Sequence, residues 1–243
     1  MISSNILMTG SDGYIGSHLK PYLENKGYTV TPYQGDICDF DIDVDDFPDM
    51  IIHLAALTGV RKSFDNAEEY GRVNIEGTRA VFSVAKEHFI PTLFASSSNA
   101  LEVTNPYAET KFINEQDRIP NSVGFRPHTV YPGRPDMLYQ RLLKGEVDYI
   151  NEGHYRDFTH IDDLCSALFT LVENYDIMAG KVVDIGSGKA VPVKEVASAM
   201  GYTGAYSNDP TPHERAYTHA NIEPLTELGW KPEKYILNEI RNS

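Results

Sequence analysis

The stretch TGSDGYIGSHL, residues 9–19, constrains this chain more than any other. It follows a short apolar run at 6–9 and opens a helical pattern at 14–25, with Gly10, Gly13 and Gly16 spaced G-x-x-G-x-x-G. Glycines at that spacing permit a tight turn, backbone approach to a pyrophosphate and close helix–strand packing. The following helix start supplies free N–H groups and a partial positive charge to an anion. A strand–glycine turn–helix unit of this kind predicts a dinucleotide site in a parallel α/β sheet.

The rest of the N-terminal half continues the alternation. Strand patterns at 29–32, 50–54 and 92–95 enclose a long helical pattern around 67–87. This βαβα order implies a doubly wound parallel (Rossmann) sheet with helices on both faces. Beyond residue 125 the pattern turns irregular, with Pro127, Pro132 and Pro135, two short strand candidates at 148–150 and 182–185, and helices near 162–173 and 194–200. With 243 residues in all, the expected division is a nucleotide-binding domain over 1–125. Residues 126–243 mainly form a small C-terminal substrate-binding lobe, with some segments returning to the main sheet.

Charge and composition narrow the partners. A net charge of −14 argues against nucleic acid or an anionic membrane, and an anionic ligand then needs a locally positive pocket. No apolar run approaches the ~20 residues of a membrane span, and the first residues lack the pattern of a signal peptide. Cys38 and Cys165 stand far apart without metal-ligand spacing, so a reducing cytoplasm is expected and no metal site. The acidic run DFDIDVDD at 39–46 has Asp46 where a calcium loop needs glycine, and reads as a solvated connection. GSGK at 186–189 lacks the flanking residues of a phosphate loop and reads as a strand-to-helix turn.

In NPYAETKFINE, Tyr107 and Lys111 fall on one helical face, since side chains four apart are neighbours. The spacing alone fits either a surface pair or a phenol tuned by an ammonium. The cofactor is also open between two dinucleotides. The usual ribose-binding acid is missing from TVTPYQ, but Asp12 repels a 2′-phosphate and no arginine stands near in sequence, so NAD is expected over NADP.

Taken in order, GSDGYIG, GDI, IIHLAA, NIEGT, ASSS, YAETK, RDFTHIDD, VVDIGSG and LGWKP resemble the extended short-chain dehydrogenase/reductase family of nucleotide-sugar enzymes along nearly the whole chain. The resemblance implies a Ser97–Tyr107–Lys111 catalytic set, with Ser98 the alternative serine. It assigns Gly10, Gly13, Tyr14, Ile15, Gly16, Asp36, Ile37, Leu54, Ala55, Ala56 and Lys111 to NAD. A phenol with an ordinary pKa of about 10 needs a neighbouring cation to act as a base near neutrality. His53 in HLAA is expected to be packed rather than catalytic.

AALTGVRKS, YAETKFINE, TVYPGRPDM and NIEPLTELGWKPE are similar in particular to UDP-glucuronate 4-epimerases. That likeness implies a UDP-sugar substrate, with Thr129, Ser98 and Asn99 on the sugar carboxylate, Arg134 and Arg61 facing the anion, and Arg156 on the diphosphate. Decarboxylating relatives carry glutamate where this chain has Asn99. The 4,6-dehydratases carry Asp-Glu where it has Ser98-Asn99, so simple epimerisation is implied. The alternatives are a UDP-glucose/galactose 4-epimerase, a 4-ketosugar reductase, or a binding protein without turnover. The chain departs from the family by being shorter: little separates Ser98 from Tyr107, and Pro120 follows soon after the tyrosine helix. Proline ends helices, so the usual family homodimer is not expected.

Overall fold

The computed structural model describes residues 5–43, 47–209 and 213–242. Six strands form one parallel sheet in the order β2-β1-β3-β4-β5-β9. Its members are β1 (Asn5–Thr9), β2 (Thr29–Pro32), β3 (Met50–His53), β4 (Thr92–Ala95), β5 (Ser122–Pro127) and β9 (Val182–Ile185). The remaining strands are short: β6 (Thr129–Tyr131), β7 (Tyr149–Asn151), β8 (Tyr155–His160), β10 (Ala190–Pro192) and β11 (Ala205–Ser207). They make two small sheets, β10-β8-β6 and β11-β7.

Period-2 alternation places successive side chains on opposite faces of the main sheet. Ile6, Met8, Met50, Ile52 and Leu93 point into one core, with Leu19 and Leu23 of α1 (Tyr14–Asn25) and a later helix over Ile161–Glu173. Ile51 and Phe94 point into the other, against Val81, Phe82 and Ala85. Those three lie on the last part of a helical rod built from α2 (Val60–Asp65), α3 (Ala67–Tyr70), a π-helical turn (Gly71–Glu76) and α4 (Gly77–Glu87). The fully buried strands explain why they read as near-continuous apolar runs.

The catalytic-motif helix is α5 (Pro106–Gln116), capped by Asn105, whose side-chain oxygen accepts from Ala108 N–H at 2.8 Å. The C-terminal part contributes α6 (Leu138–Lys144), α7 (Ile161–Glu173), α8 (Tyr175–Met178), α9 (Val193–Ala199), α10 (Glu223–Glu227) and α11 (Ile236–Asn242). Tyr131, Leu142, Ile150, Phe158, Val196 and Ile236 form a separate core there.

Two sequence expectations are corrected. The region after 125 is more regular than its prolines suggested, because Pro127 sits at the last residue of β5 and Pro132 just beyond β6, where no ladder donor is needed. GSGK joins β9 to the short strand β10 rather than to a helix, because Asp157 of β8 holds the turn through Ser187 N–H at 2.6 Å and Ser187 Oγ at 2.7 Å. The expectation about Asp46 falls at 44–46, outside the described residues. No described helix is long and apolar enough to cross a membrane.

Candidate active site

β1 lies between β2 and β3, so the chain leaves it in one direction and returns on the other side. In an open parallel sheet the crevice at the carboxyl ends beside such a strand is where nucleotides bind. The glycine loop fills that corner. Gly10 has φ +68°, and a Cβ there would meet Ala55 N at 2.7 Å. A Cβ on Gly16 would meet Gly10 O at 2.4 Å. Gly13 caps α1 without a side-chain hydrogen bond, which leaves the first helical N–H groups facing outward. Thr9 Oγ1 accepts from Leu54 and Ala55 N–H, both at 3.2 Å, and fixes the facing loop. A cradle this closely built of backbone fits a dinucleotide pyrophosphate.

Beside the cradle lies a cavity of about 400 Å³ that brings together Gly10, Gly13, Tyr14, Ile15, Gly16, Leu54, Ala56, Ser97, Ser98, Asn99, Tyr107, Lys111, Thr129 and Arg134. Residues from six separate segments of the sequence thus converge. A second cavity of about 490 Å³ shares Gly59, Val60, Thr129, Arg134 and Met137 with the first, and carries Arg61, Lys62, Arg141 and Arg156 as well. Asp136, Asp148 and Glu214 also line it, so with Arg134 the five cations outnumber the acids and leave a local positive excess, which a chain with a net charge of −14 needs for an anion.

Asp36, Ile37 and Ala55 line neither cavity, and Arg61 and Arg156 line only the second. Asp36 caps a short turn by accepting from Cys38 N–H at 3.0 Å and pairs with Arg72 at 3.1 Å. Ile37 is buried against Gly77, and Ala55 lies behind the Gly10 turn. Arg61 is exposed and pairs with Glu214 at 3.8 Å. The Arg156 guanidinium bonds the carbonyls of Tyr155 and Ala216 at 2.9 and 3.1 Å.

The electrostatics of the Tyr107 cluster are those of a dry site. Burial raises the phenol's pKa, while a hydrogen bond with Ser97 and the nearby Arg134 charge pull it down. Burial lowers the Lys111 pKa to about 8, and its Nζ donates to Ala95 O at 2.8 Å. His53 is buried between Thr9 Oγ1 at 2.8 Å and Thr78 Oγ1 at 3.0 Å, and burial drops its pKa to about 3.

Sequence reasoning missed several contributors. Thr58 Oγ1 accepts from NH1 of Arg134, itself a sequence candidate, at 2.6 Å, and Tyr70 packs edge-on to Tyr107 with centroids 6.3 Å apart. Asn74, within NIEGT, accepts from Leu57 N–H at 2.8 Å and donates to Leu57 O at 3.0 Å, clamping the loop that lines the cavity. It sits in the π-helical turn, a geometry common at functional sites. The motif signalled Asn74; the turn that aims it had no sequence signal. Among the described residues, no cluster of three metal-ligating side chains occurs.

A glycine-cradled nucleotide crevice opening onto a buried serine, tyrosine and lysine defines a Rossmann enzyme of the short-chain dehydrogenase/reductase type. The chain belongs to the NAD dependent epimerase/dehydratase family, whose sequence profile matches residues 6–186. It is 27% identical to Protein CapI of Staphylococcus aureus over 95% of this chain and 94% of that protein. MoeE5 solved with UDP-glucuronic acid and NAD is 28% identical, with a TM-score of 0.86 over 98% of this chain and 97% of that one. The same protein has also been solved with UDP-glucose and NAD. A UDP-glucuronic acid 4-epimerase from Bacillus cereus, solved with UDP-glucuronic acid and NAD, is 25% identical, with a TM-score of 0.86 over 97% of this chain and 96% of that one.

Proposed function

We propose that the chain inverts C4 of a UDP-hexuronate, interconverting UDP-glucuronate and UDP-galacturonate through a transient 4-ketone. The observation that carries this reading is the cavity itself: Thr129, Ser98, Asn99 and Arg134 share it with Ser97, Tyr107 and Lys111, and it continues into an arginine-lined cavity. A set of hydroxyl, amide and guanidinium donors around one reacting centre suits a sugar carboxylate. Residues 1–125 then carry the cofactor and the reacting groups, and residues 126–243 mainly the sugar nucleotide.

Gly10, Gly13 and Gly16 with the first N–H groups of α1 would hold the pyrophosphate, and Lys111 would hydrogen-bond the nicotinamide ribose. When bound, NAD supplies a hydride acceptor at C4 that becomes the donor for the return step. Tyr107 takes the proton of the 4-hydroxyl and gives it back to the ketone oxygen after the ring has presented its other face. Ser97 orients the phenol and the reacting oxygen. Burial raises the phenol's pKa and keeps it protonated, while the Ser97 hydrogen bond and the Arg134 charge pull the other way and favour the phenolate that accepts the substrate proton. Oxidising C4 creates a β-keto acid, which loses carbon dioxide when its C–COO bond stands perpendicular to the ketone. Thr129, Ser98 and Asn99 hold the carboxylate away from that alignment until hydride returns.

Incubating the protein with UDP-glucuronate and NAD, followed by proton NMR, tests this. The expected product is UDP-galacturonate without net reduction of NAD, and Tyr107→Phe should slow it by roughly 10³-fold. A second reading, epimerisation of a neutral UDP-hexose, is favoured by the MoeE5 complex with UDP-glucose. Turnover confined to UDP-glucose supports it. NAD binding without product from any sugar nucleotide points to a binding protein.

A further inference from the structure

The turn that carries Ser98 and Asn99 is poorly anchored by its own side chains. It runs as a short 3₁₀ helix (Ser98–Leu101) into the cap of α5, and Leu101, Glu102 and Val103 are exposed. Within the turn, Ser97 Oγ accepts from the Asn99 backbone and amide N–H groups, both at 3.2 Å, and two backbone bonds close it, Ala100 N–H to Ser97 O at 3.0 Å and Glu102 N–H to Asn99 O at 3.2 Å. Ser97 must be held to orient Tyr107, and although Ser97, Ser98 and Ala100 are buried, the turn leads directly into the exposed 101–103 segment, where local opening starts most easily.

A strap from the far end of the chain meets this turn. Arg215 NH1 donates to Ser98 O at 2.6 Å, and its Nε donates to Glu102 at 3.3 Å. Two residues earlier, His213 O accepts from Thr104 Oγ1 and Asn105 Nδ2, each at 3.1 Å. The His213 ring packs on Phe64 with centroids 4.8 Å apart, and its Nδ1 lies 3.1 Å from Thr104 O. Both ends of the 98–105 segment are therefore tied to one short peptide.

That peptide is itself fixed to a strand. Tyr155 N–H donates to Ala216 O at 2.8 Å, Thr218 N–H to Tyr155 O at 3.2 Å, and Asp157 N–H to Thr218 Oγ1 at 3.2 Å. Arg156, on the same strand β8, also donates to Ala216 O. The strap thus joins the strand carrying one of the pocket's arginines to the turn carrying the serine.

We propose that Arg215 is a positioning residue: through the carbonyl of Ser98 it holds the Ser97 turn in the geometry that aims Ser97 at Tyr107. The proposal rests on the reading of Ser97 and Tyr107 given under Proposed function. An arginine suits the task because its planar fork spans a carbonyl and a carboxylate at once.

Two readouts test it. Hydrogen exchange by mass spectrometry needs no substrate: Arg215→Gln should speed exchange at 97–105 by roughly tenfold and leave β1, β3 and β4 protected, while Arg215→Lys restores part of the protection. In turnover, Arg215→Gln should lower kcat by roughly tenfold with KM within about twofold, and the loss should shrink to less than about twofold in a Ser97→Ala background. Unchanged exchange at 97–105 overturns the proposal. So does a loss that carries over in full to Ser97→Ala, or one that appears in KM alone. If Arg215→Gln also loses sheet protection, the Arg215→Lys variant in the same Ser97→Ala cycle decides the matter. If the wild type turns over no sugar nucleotide, the proposed function fails while exchange at 97–105 still judges the brace.

Discussion

The parallel sheet and the C-terminal lobe fix their functional groups by different means. In the sheet, position comes from the backbone: a left-handed glycine, a close Cβ-free packing and strands buried on both faces set the cofactor crevice. In the lobe, strands are short and position comes from polar ties between side chains and distant carbonyls, such as Arg156 to Ala216 and Arg134 to Thr58. Backbone packing allows little adjustment. Side-chain ties can be exchanged singly, which lets a lobe change its ligand on a constant nucleotide platform.

Substitutions that break this contrast should scale accordingly. The largest effect belongs to Gly10→Ala, because φ +68° and a contact at 2.7 Å to Ala55 N leave no room for a methyl group. NAD affinity, read by quenching of intrinsic fluorescence or by calorimetry, should fall by more than about 100-fold whatever the sugar. Retained affinity would mean that the lobe, not the backbone cradle, holds the cofactor.

Lys111→Met should come next, with opposite effects on activity and stability. Burial holds the folded pKa at about 8, below the free value of 10.5, so the folded protein carries an unfavourable buried charge at pH 7. The cost is fully present below the folded pKa and fades as pH rises toward the unfolded one. Removing the charge should slow turnover by roughly 100-fold yet stabilise the fold at pH 7 by roughly 1–3 kcal/mol, the lost bond to Ala95 O offsetting part of it. A drop in melting temperature would show that this hydrogen bond outweighs the desolvation.

Thr129→Val probes the lobe. It should lower turnover of the uronate by roughly tenfold, about one hydrogen bond to a charged group, while sparing a neutral hexose. Equal losses on both would remove Thr129 from carboxylate binding. The last effect is one of pH dependence and concerns acid stability. His53 is neutral when folded, with a pKa of about 3 against 6.5 unfolded. Between those values the unfolded chain binds the extra proton, so stability is lost as pH falls through that window. His53→Gln should flatten the acid limb of a denaturation-midpoint profile from about pH 6 to pH 4.

The lobe was also the harder part to read. Periodicity located β1, β2, β4 and β9 and the long helical pattern, because those segments are buried on both faces or strongly amphipathic. It did not locate β6 or β8, a three-residue segment and a largely polar one that form strands through pairing with each other. Likewise Asn74 stood in a recognisable motif, but its clamp on Leu57 depends on a π-helical turn that no local preference signals.

By itself the sequence determined the parts from which the crevice is built: the glycine spacing, the order of strands and helices, and a tyrosine one helical turn from a lysine. These are local properties, set by backbone sterics and helical period within a dozen residues. Only the tertiary structure decided which cation stands near the phenol, where Arg134 registers while Lys111 bonds Ala95 O. It alone brought Arg215 onto Ser98. Contacts between residues so far apart along the chain depend on the path of the whole backbone, and no spacing in the sequence encodes them.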